Sequence, residues 1–332
     1  MVLAMRTSKI ISFILITAAA ATVGCGGGDD GNADDDGGGG DGGAGIDADI
    51  PADYTRLIGR TWSLPPGATD TYRCARITIP NDTYITNIVS QAPQGSHHAV
   101  LSIASGNTAG ADGEYDCQVN SIGTVMLYAS GVGTSPLDFP NGVGIRVAAG
   151  TQLHLNLHLY NASDSQLNGD SAIMVKQSAT APPTLAEMVF AGKFLFSIPA
   201  NSPPTTPGPP TTTSGGCTAN RDFTIFAVWP HQHRLGTHHK FEVIPSGGSP
   251  NVLHDEAFNF VEQAYYLKSP EVQVRNGDQL RTTCTWVNTT GTQIRFGESS
   301  DEEMCFTGLY RYPAAPSGTN LFQCTDTGGI GF

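Results

Sequence analysis

The feature that most limits the fold of this chain is the run Gln152-Leu153-His154-Leu155-Asn156-Leu157-His158-Leu159-Tyr160. Its leucines fall at every second position, the period at which side chains repeat on one face of a β-strand. It predicts a half-buried strand, with His154 and His158 together on the polar face. Shorter runs of the same kind occur at Arg76–Ile79, Ala99–Ile103, Phe223–Val228, Lys240–Ile244, Gln279–Val287 and Phe306–Tyr312. No long stretch carries a 3.6-residue apolar repeat. With 40 glycines and 21 prolines available for turns, many short strands favour an all-β, sandwich-type fold over a helical one. No internal repeat is read from the sequence. The Pro/Thr/Gly-rich stretch 201–216 reads as a stiff exposed loop, and Thr180–Thr184 as a domain boundary.

The N-terminus is expected to lie outside any fold. Arg6 and Lys9 precede an apolar run, Ile10–Ala21, of twelve residues, too short to span a bilayer as a helix. It reads as the core of a secretory signal. Thr22-Val23-Gly24-Cys25 follows in the pattern of a bacterial lipoprotein cleavage site, with Cys25 as the lipidated residue. Ordinary signal cleavage, leaving Cys25 as a spare thiol, is the alternative. Residues 29–50 hold eight aspartates and no base among glycines and alanines, a composition with nothing to bury. As a flexible tether it would span on the order of 25–30 Å. The expected division is a signal peptide (1–24), a tether (25–50), a first domain (51–182) and a second (183–332). The chain would then be exported and lipid-anchored at the outer membrane or surface of a bacterium. The net charge of −13, concentrated in the tether, argues against nucleic acid as a partner. A monomer is expected.

Setting Cys25 aside, six cysteines remain: Cys74, Cys117, Cys217, Cys284, Cys305 and Cys324. In an oxidising compartment they permit three disulfides in any of fifteen pairings. None has the close C-x-x-C spacing of a zinc ribbon or redox motif.

The nine histidines are clustered. His97 and His98 are adjacent. They would face opposite sides of a regular strand, so sharing a metal requires a bulge, which Gly95 could permit. His231-Gln232-His233 would place two imidazoles on one side of a strand. His238-His239 and His254 complete the set and read as surface or supporting residues. An exposed His-His pair is usually only a solvated surface, but three clusters make a metal more plausible. Imidazole suits Zn, Cu, Fe and Ni alike. Met304, in the block Ser299–Cys305, adds a soft thioether that favours Cu(I), although core packing is its blander explanation.

Taken in order, His97-His98, Gly142–Val147, the strand end His158–Asn161, Phe226–Gly236 and Ser299–Cys305 resemble the ascorbate-dependent type II copper monooxygenases. That family includes the peptidylglycine α-hydroxylating and dopamine β-monooxygenases. The resemblance spans roughly residues 55–332. It implies two jelly-roll-like β-sandwich domains in tandem, each with one copper. His97, His98 and His158 would hold an electron-storing copper. His231, His233 and Met304 would hold a second copper that meets O2 and substrate, with ascorbate or another one-electron reductant as co-substrate. His154 would be a supporting residue. The resemblance also implies the pairs Cys74–Cys117, Cys217–Cys324 and Cys284–Cys305.

The chain departs from the family around the second site. Gln232 stands in place of a Thr, and Thr224 in place of a His. Trp229, Phe306 and Gly308 replace the Arg, Asn and Tyr with which the peptide-amidating members grip a substrate carboxylate. Peptide amidation is therefore not expected, and a small, fairly apolar substrate is. A non-catalytic copper lipoprotein for storage or sensing, a protein with vestigial sites, and zinc in a binding role are the competing readings. No Ser/His/Asp arrangement, nucleotide loop or basic patch is present in the sequence.

Overall fold

The computed structural model describes residues 50–119, 124–201, 207–316 and 324–325. The signal peptide, Cys25 and all of the tether up to residue 49 lie outside the described residues. What is described is nearly all β, with one short 3-10 turn at Gly106–Thr108 among the described residues.

The alternating run forms the strand Gln152–Leu159. It is the centre of a sheet ordered Gly113–Asp116, Thr71–Thr78, Gln152–Leu159, Ser96–Ile103, Val125–Ser130. A second sheet runs Thr55–Leu64, Leu167–Ser178, Thr83–Gln91, Val143–Val147, Thr184–Leu185. Strands after Leu185 form a separate pair of sheets. One is ordered Tyr266–Val274, Phe223–His231, Phe306–Tyr312, Glu187–Gly192, Cys324–Thr325. The other is ordered Thr211–Thr218, Gln279–Trp286, Gly236–Ile244, Asn251–Ala257.

The two sets repeat one another. In sheet order, Thr71–Thr78, Gln152–Leu159, Ser96–Ile103 and Val125–Ser130 take the places that Thr211–Thr218, Gln279–Trp286, Gly236–Ile244 and Asn251–Ala257 take in the later set. Thr55–Leu64, Leu167–Ser178, Thr83–Gln91 and Val143–Val147 likewise match Glu187–Gly192, Phe306–Tyr312, Phe223–His231 and Tyr266–Val274. Small details recur. The Ile79 N–H donates to the Thr151 carbonyl at 2.9 Å, and the Ala219 N–H to the Asp278 carbonyl at 2.7 Å. Gly150 and Gly277 turn the chain with φ of 79° and 96°. Asp82 and Asp222 each accept a backbone N–H at 2.8 Å, from Ala149 and Asn276. Asn161 and Asn288 each accept the N–H two residues on, at 3.0 and 2.8 Å. The reading that the sequence holds no repeat is therefore corrected. In the paired registers His98 takes the place of His238, and Gln152-Leu153 to Asn161 matches Gln279-Leu280 to Asn288. The identity survives only where turns and anchors demand particular residues, too sparsely to stand out in the bare sequence.

Three other expectations change. The strand Gln152–Leu159 is buried on both faces, not one, because its polar residues His154, Asn156 and His158 face covered ground. Asn156, for example, donates to the Gln118 carbonyl at 3.1 Å. The end of the expected loop 201–216 is part of the strand Thr211–Thr218, whose threonine-rich edge pairs along Gln279–Trp286. The strand carrying His231 stops there, so His233 lies in the following turn.

Cys74–Cys117, Cys217–Cys324 and Cys284–Cys305 are disulfide-bonded, the pairs that the resemblance implies. One apolar cluster runs through both sets of sheets, from Leu101, Leu155 and Tyr128 to Phe226, Trp229 and Tyr310. Tyr310 donates its hydroxyl proton to the Leu127 carbonyl at 3.0 Å across that junction.

Candidate metal centre

His97, His98 and His158 converge. One ring nitrogen from each lies within 4.8 Å of the others. A local irregularity makes this possible. The pairing of Ser96–Ile103 with Gln152–Leu159 slips between Ser96 and His98, so His97 is an extra residue at a bulge, and Gly95 before it has φ of 97°. The bulge turns two adjacent imidazoles to one side, with their Nδ1 atoms 3.1 Å apart. His158 sits opposite His98 in the ladder.

His158 is held from behind. Its Nε2 lies 2.9 Å from Asp70 Oδ1, and its ring stacks on Tyr72 at 4.7 Å. A carboxylate only accepts, so Nε2 carries the proton and Nδ1 keeps its lone pair. This is the outer-shell arrangement that orients a metal-binding imidazole. Asp70 is the one non-glycine residue with positive φ, 46°, among the described residues.

His231 and His233 have ring centroids 5.3 Å apart at 85°. The Glu302 carbonyl lies 3.0 Å from His233 Nδ1, which must therefore be the protonated nitrogen, leaving Nε2 free. His231 stacks on Trp229 at 4.7 Å, and its Nδ1 is 2.6 Å from Gln263 Oε1. Met304 is buried, beside Cys305 of the disulfide to Cys284.

Glu303 joins the segments that carry His233 and Met304, and nothing in the sequence marked it out. Its buried carboxylate accepts the backbone N–H of His233 (2.9 Å), Leu235 (2.7 Å) and Met304 (3.3 Å), and the Trp286 indole N–H (2.8 Å). Burial pushes this carboxyl up to about 7, against the pull of those four donors.

Burial lowers every imidazole of both clusters. His231 falls to about 4 and His233 to about 3, His98 well below its ordinary value, and His97 and His158 less far. Near neutral pH all five are neutral, the form that binds a metal. Three imidazoles on one side, and two imidazoles beside a thioether on the other, are donor sets suited to copper.

Both clusters open on one cavity of about 110 Å³, lined by His98 and His158 on one wall and by His231, His233 and Met304 on another. Phe260 stands between them, 5.0 Å from His98 and 6.1 Å from His233 by ring centroids. Trp229, Phe190, Phe306, Val100 and Met126 supply apolar wall, and no Lys or Arg lines it among the described residues. Trp229 and Phe306, the departures noted in the sequence, thus face this space.

The remaining histidines stand apart. His154 is buried with no hydrogen-bond partner for Nε2. His238 is exposed and pairs with Asp255 at 3.2 Å. His239 is fully buried, 2.9 Å from Thr307 Oγ1 and 3.9 Å from Cys284 Sγ, behind the disulfide. His254 is buried against Tyr266. His238 takes the place of His98 in the repeat, but Thr237 and Thr285 take those of His97 and His158, and no third ligand reaches His238 and His239 among the described residues. Sequence reasoning missed Asp70, Gln263 and Phe260 as well as Glu303.

Residues 202–329 match the family model of the copper type II ascorbate-dependent monooxygenase C-terminal domain. Peptidyl-glycine alpha-amidating monooxygenase A of Xenopus laevis is 27% identical over 301 residues, which cover 83% of this chain and 30% of that protein. The chain therefore spans under a third of its relative's length. Solved structures of infectious bursal disease virus, Gx and Gt strains, align over 81% and 80% of the chain and 74% of each of theirs. Their TM-scores of 0.17 and 0.15, at 8% and 12% identity, carry no argument.

Proposed function

We propose that this chain, similar over residues 202–329 to the copper type II ascorbate-dependent monooxygenase C-terminal domain, is a member of that family and hydroxylates a C–H bond of a small apolar molecule, using O2 and an external one-electron reductant such as ascorbate. The observation that carries this reading is the single apolar cavity onto which both histidine clusters open. A substrate carboxylate would meet no cation there among the described residues, which speaks against amidation of a peptide terminus.

The residues present suit two coppers, one at His97, His98 and His158 and one at His231, His233 and Met304. Bound copper would supply one-electron transfer and oxygen activation. The chain's own part is to bind, orient and exclude water. Asp70 and the Glu302 carbonyl keep protons on the outward nitrogens of His158 and His233. Glu303 holds the backbones of His233 and Met304 at fixed spacing. Trp229, Phe190 and Phe306 keep the reacting space dry. In the overall reaction the substrate C–H becomes C–OH, the second oxygen atom leaves as water, and the reductant supplies two electrons and two protons. Export with a lipid anchor at Cys25, monomeric state and no nucleic-acid partner complete the proposal.

The test is oxygen uptake by the copper-loaded protein with ascorbate and a panel of small apolar substrates. Substrate-dependent uptake that is abolished in Met304→Ala, with copper retained at the first cluster, is the expected outcome. Tight copper binding with no uptake across the panel would replace the proposal with a storage or sensing role.

A further inference from the structure

The segment between Phe258 and Tyr265 belongs to the second set of sheets in sequence but is fastened to the first. The Val132 N–H donates to the Val261 carbonyl at 3.1 Å, and Thr134 Oγ1 to the Gln263 carbonyl at 3.1 Å. The Trp229 indole N–H also donates to the Gln263 carbonyl, at 3.3 Å. At Gly131 any Cβ would lie 2.8 Å from the Val261 carbonyl oxygen, so the approach needs a glycine there. The segment is thereby pinned between the two histidine clusters.

The side chain of Gln263, 2% exposed, reaches both clusters. Its Nε2 donates to the Phe260 carbonyl at 3.0 Å. A carbonyl only accepts, so the amide nitrogen must face it. The other end of the amide, 2.6 Å from His231 Nδ1, is then the oxygen, which also only accepts. The proton of His231 is therefore on Nδ1 and its lone pair on Nε2. On the other side, Nε2 of His98 lies 3.3 Å from the Gln263 amide nitrogen and 3.4 Å from the Phe260 carbonyl. With Nε2 so occupied, Nδ1 is the nitrogen of His98 left to face His97.

We propose that Gln263 is a positioning residue shared by the two clusters: it fixes the tautomer of His231 and, with the Phe260 carbonyl, the orientation of His98. This deepens the copper reading, because it states which nitrogen of His231 is offered to a metal. The deduction itself uses no metal.

The test separates the two. In metal-free protein with ¹⁵N-labelled histidine, long-range ¹H–¹⁵N correlation should show His231 as the Nδ1–H form, the less common one for a free imidazole. Gln263→Leu should shift it toward Nε2–H. Gln263→Glu keeps an acceptor at the same place and should retain Nδ1–H. Copper(I) competition should then give an affinity at the His231 cluster roughly 10–100-fold weaker in Gln263→Leu. In Gln263→Glu it should stay near wild type. Finding His231 as Nε2–H in the wild type, or an unchanged tautomer in a folded Gln263→Leu, overturns the proposal. The expected tautomers with no copper bound would instead overturn the copper reading and leave the role of Gln263 standing.

Discussion

Asp70 combines two roles that a substitution can pull apart. Its carboxylate holds His158 Nε2 at 2.9 Å, while its backbone is in the left-handed region at φ 46°. A left-handed backbone costs a residue with a Cβ about 1–2 kcal/mol, least for Asp and Asn. Glycine relieves that cost but loses about 0.5–1 kcal/mol more on folding through its extra freedom in the unfolded chain. Asp70→Gly should therefore leave stability within about 1 kcal/mol of wild type. At the same time His158 loses the partner that fixes its ring and tautomer. Removing such an outer partner typically weakens a metal site about 10–100-fold, or about 1.4–2.8 kcal/mol. Asp70→Asn, which tolerates the backbone and keeps an oxygen acceptor, should fall between. Urea midpoints report the first quantity. Competition with a chromophoric copper chelator, read with electron paramagnetic resonance of the Cu(II) form, reports the second. Wild-type affinity and an unaltered spectrum in Asp70→Gly would show that Asp70 is only a turn residue and would refute the argument.

Two other predictions concern stability. Replacing Cys284 and Cys305 by alanine opens a link across 21 residues and should cost about 3 kcal/mol, with copper lost first from the cluster that includes Met304. Chemical denaturation and metal analysis of the double variant check both parts. His154, held down to about 4 by burial and then by the Arg76 charge, stays neutral in the fold but takes a proton when unfolded below its ordinary 6.5. Its contribution is complete above pH 6.5 and is lost as pH falls toward 4. Between pH 7 and 4.5, His154→Leu should thus lose about 2 kcal/mol less stability than wild type, measured by urea unfolding at both pH values.

The strands and the ligand types were legible because they are local. Alternation at 152–159 and the pairing of adjacent histidines behind Gly95 are visible within ten residues of chain. The bulge that makes His97 and His98 agree was foreseeable as a need, and the register slip at that place meets it. What could not be read were partners joined only by the fold. Gln263 is 165 residues from His98, and Asp70 is 88 from His158. Glu303 lies inside the block Ser299–Cys305, but its neighbours Asp301 and Glu302 are exposed carboxylates of the same kind. Only the indole of Trp286 and the turn after His231 set it apart. The duplication is faint in the sequence because the two halves share turn and anchor residues and little else.

The grip of Glu303 bears on how fast an ion could be exchanged. The backbones that carry His233 and Met304 hang from one buried carboxylate, so neither can swing outward without stranding it among unsatisfied donors. An ion at that cluster would have to leave by side-chain rotation into the cavity, with the surrounding chain standing still. Loading and unloading would then be gated by whatever fills the space beside Phe260, and a molecule lodged there would trap the ion for as long as it stayed.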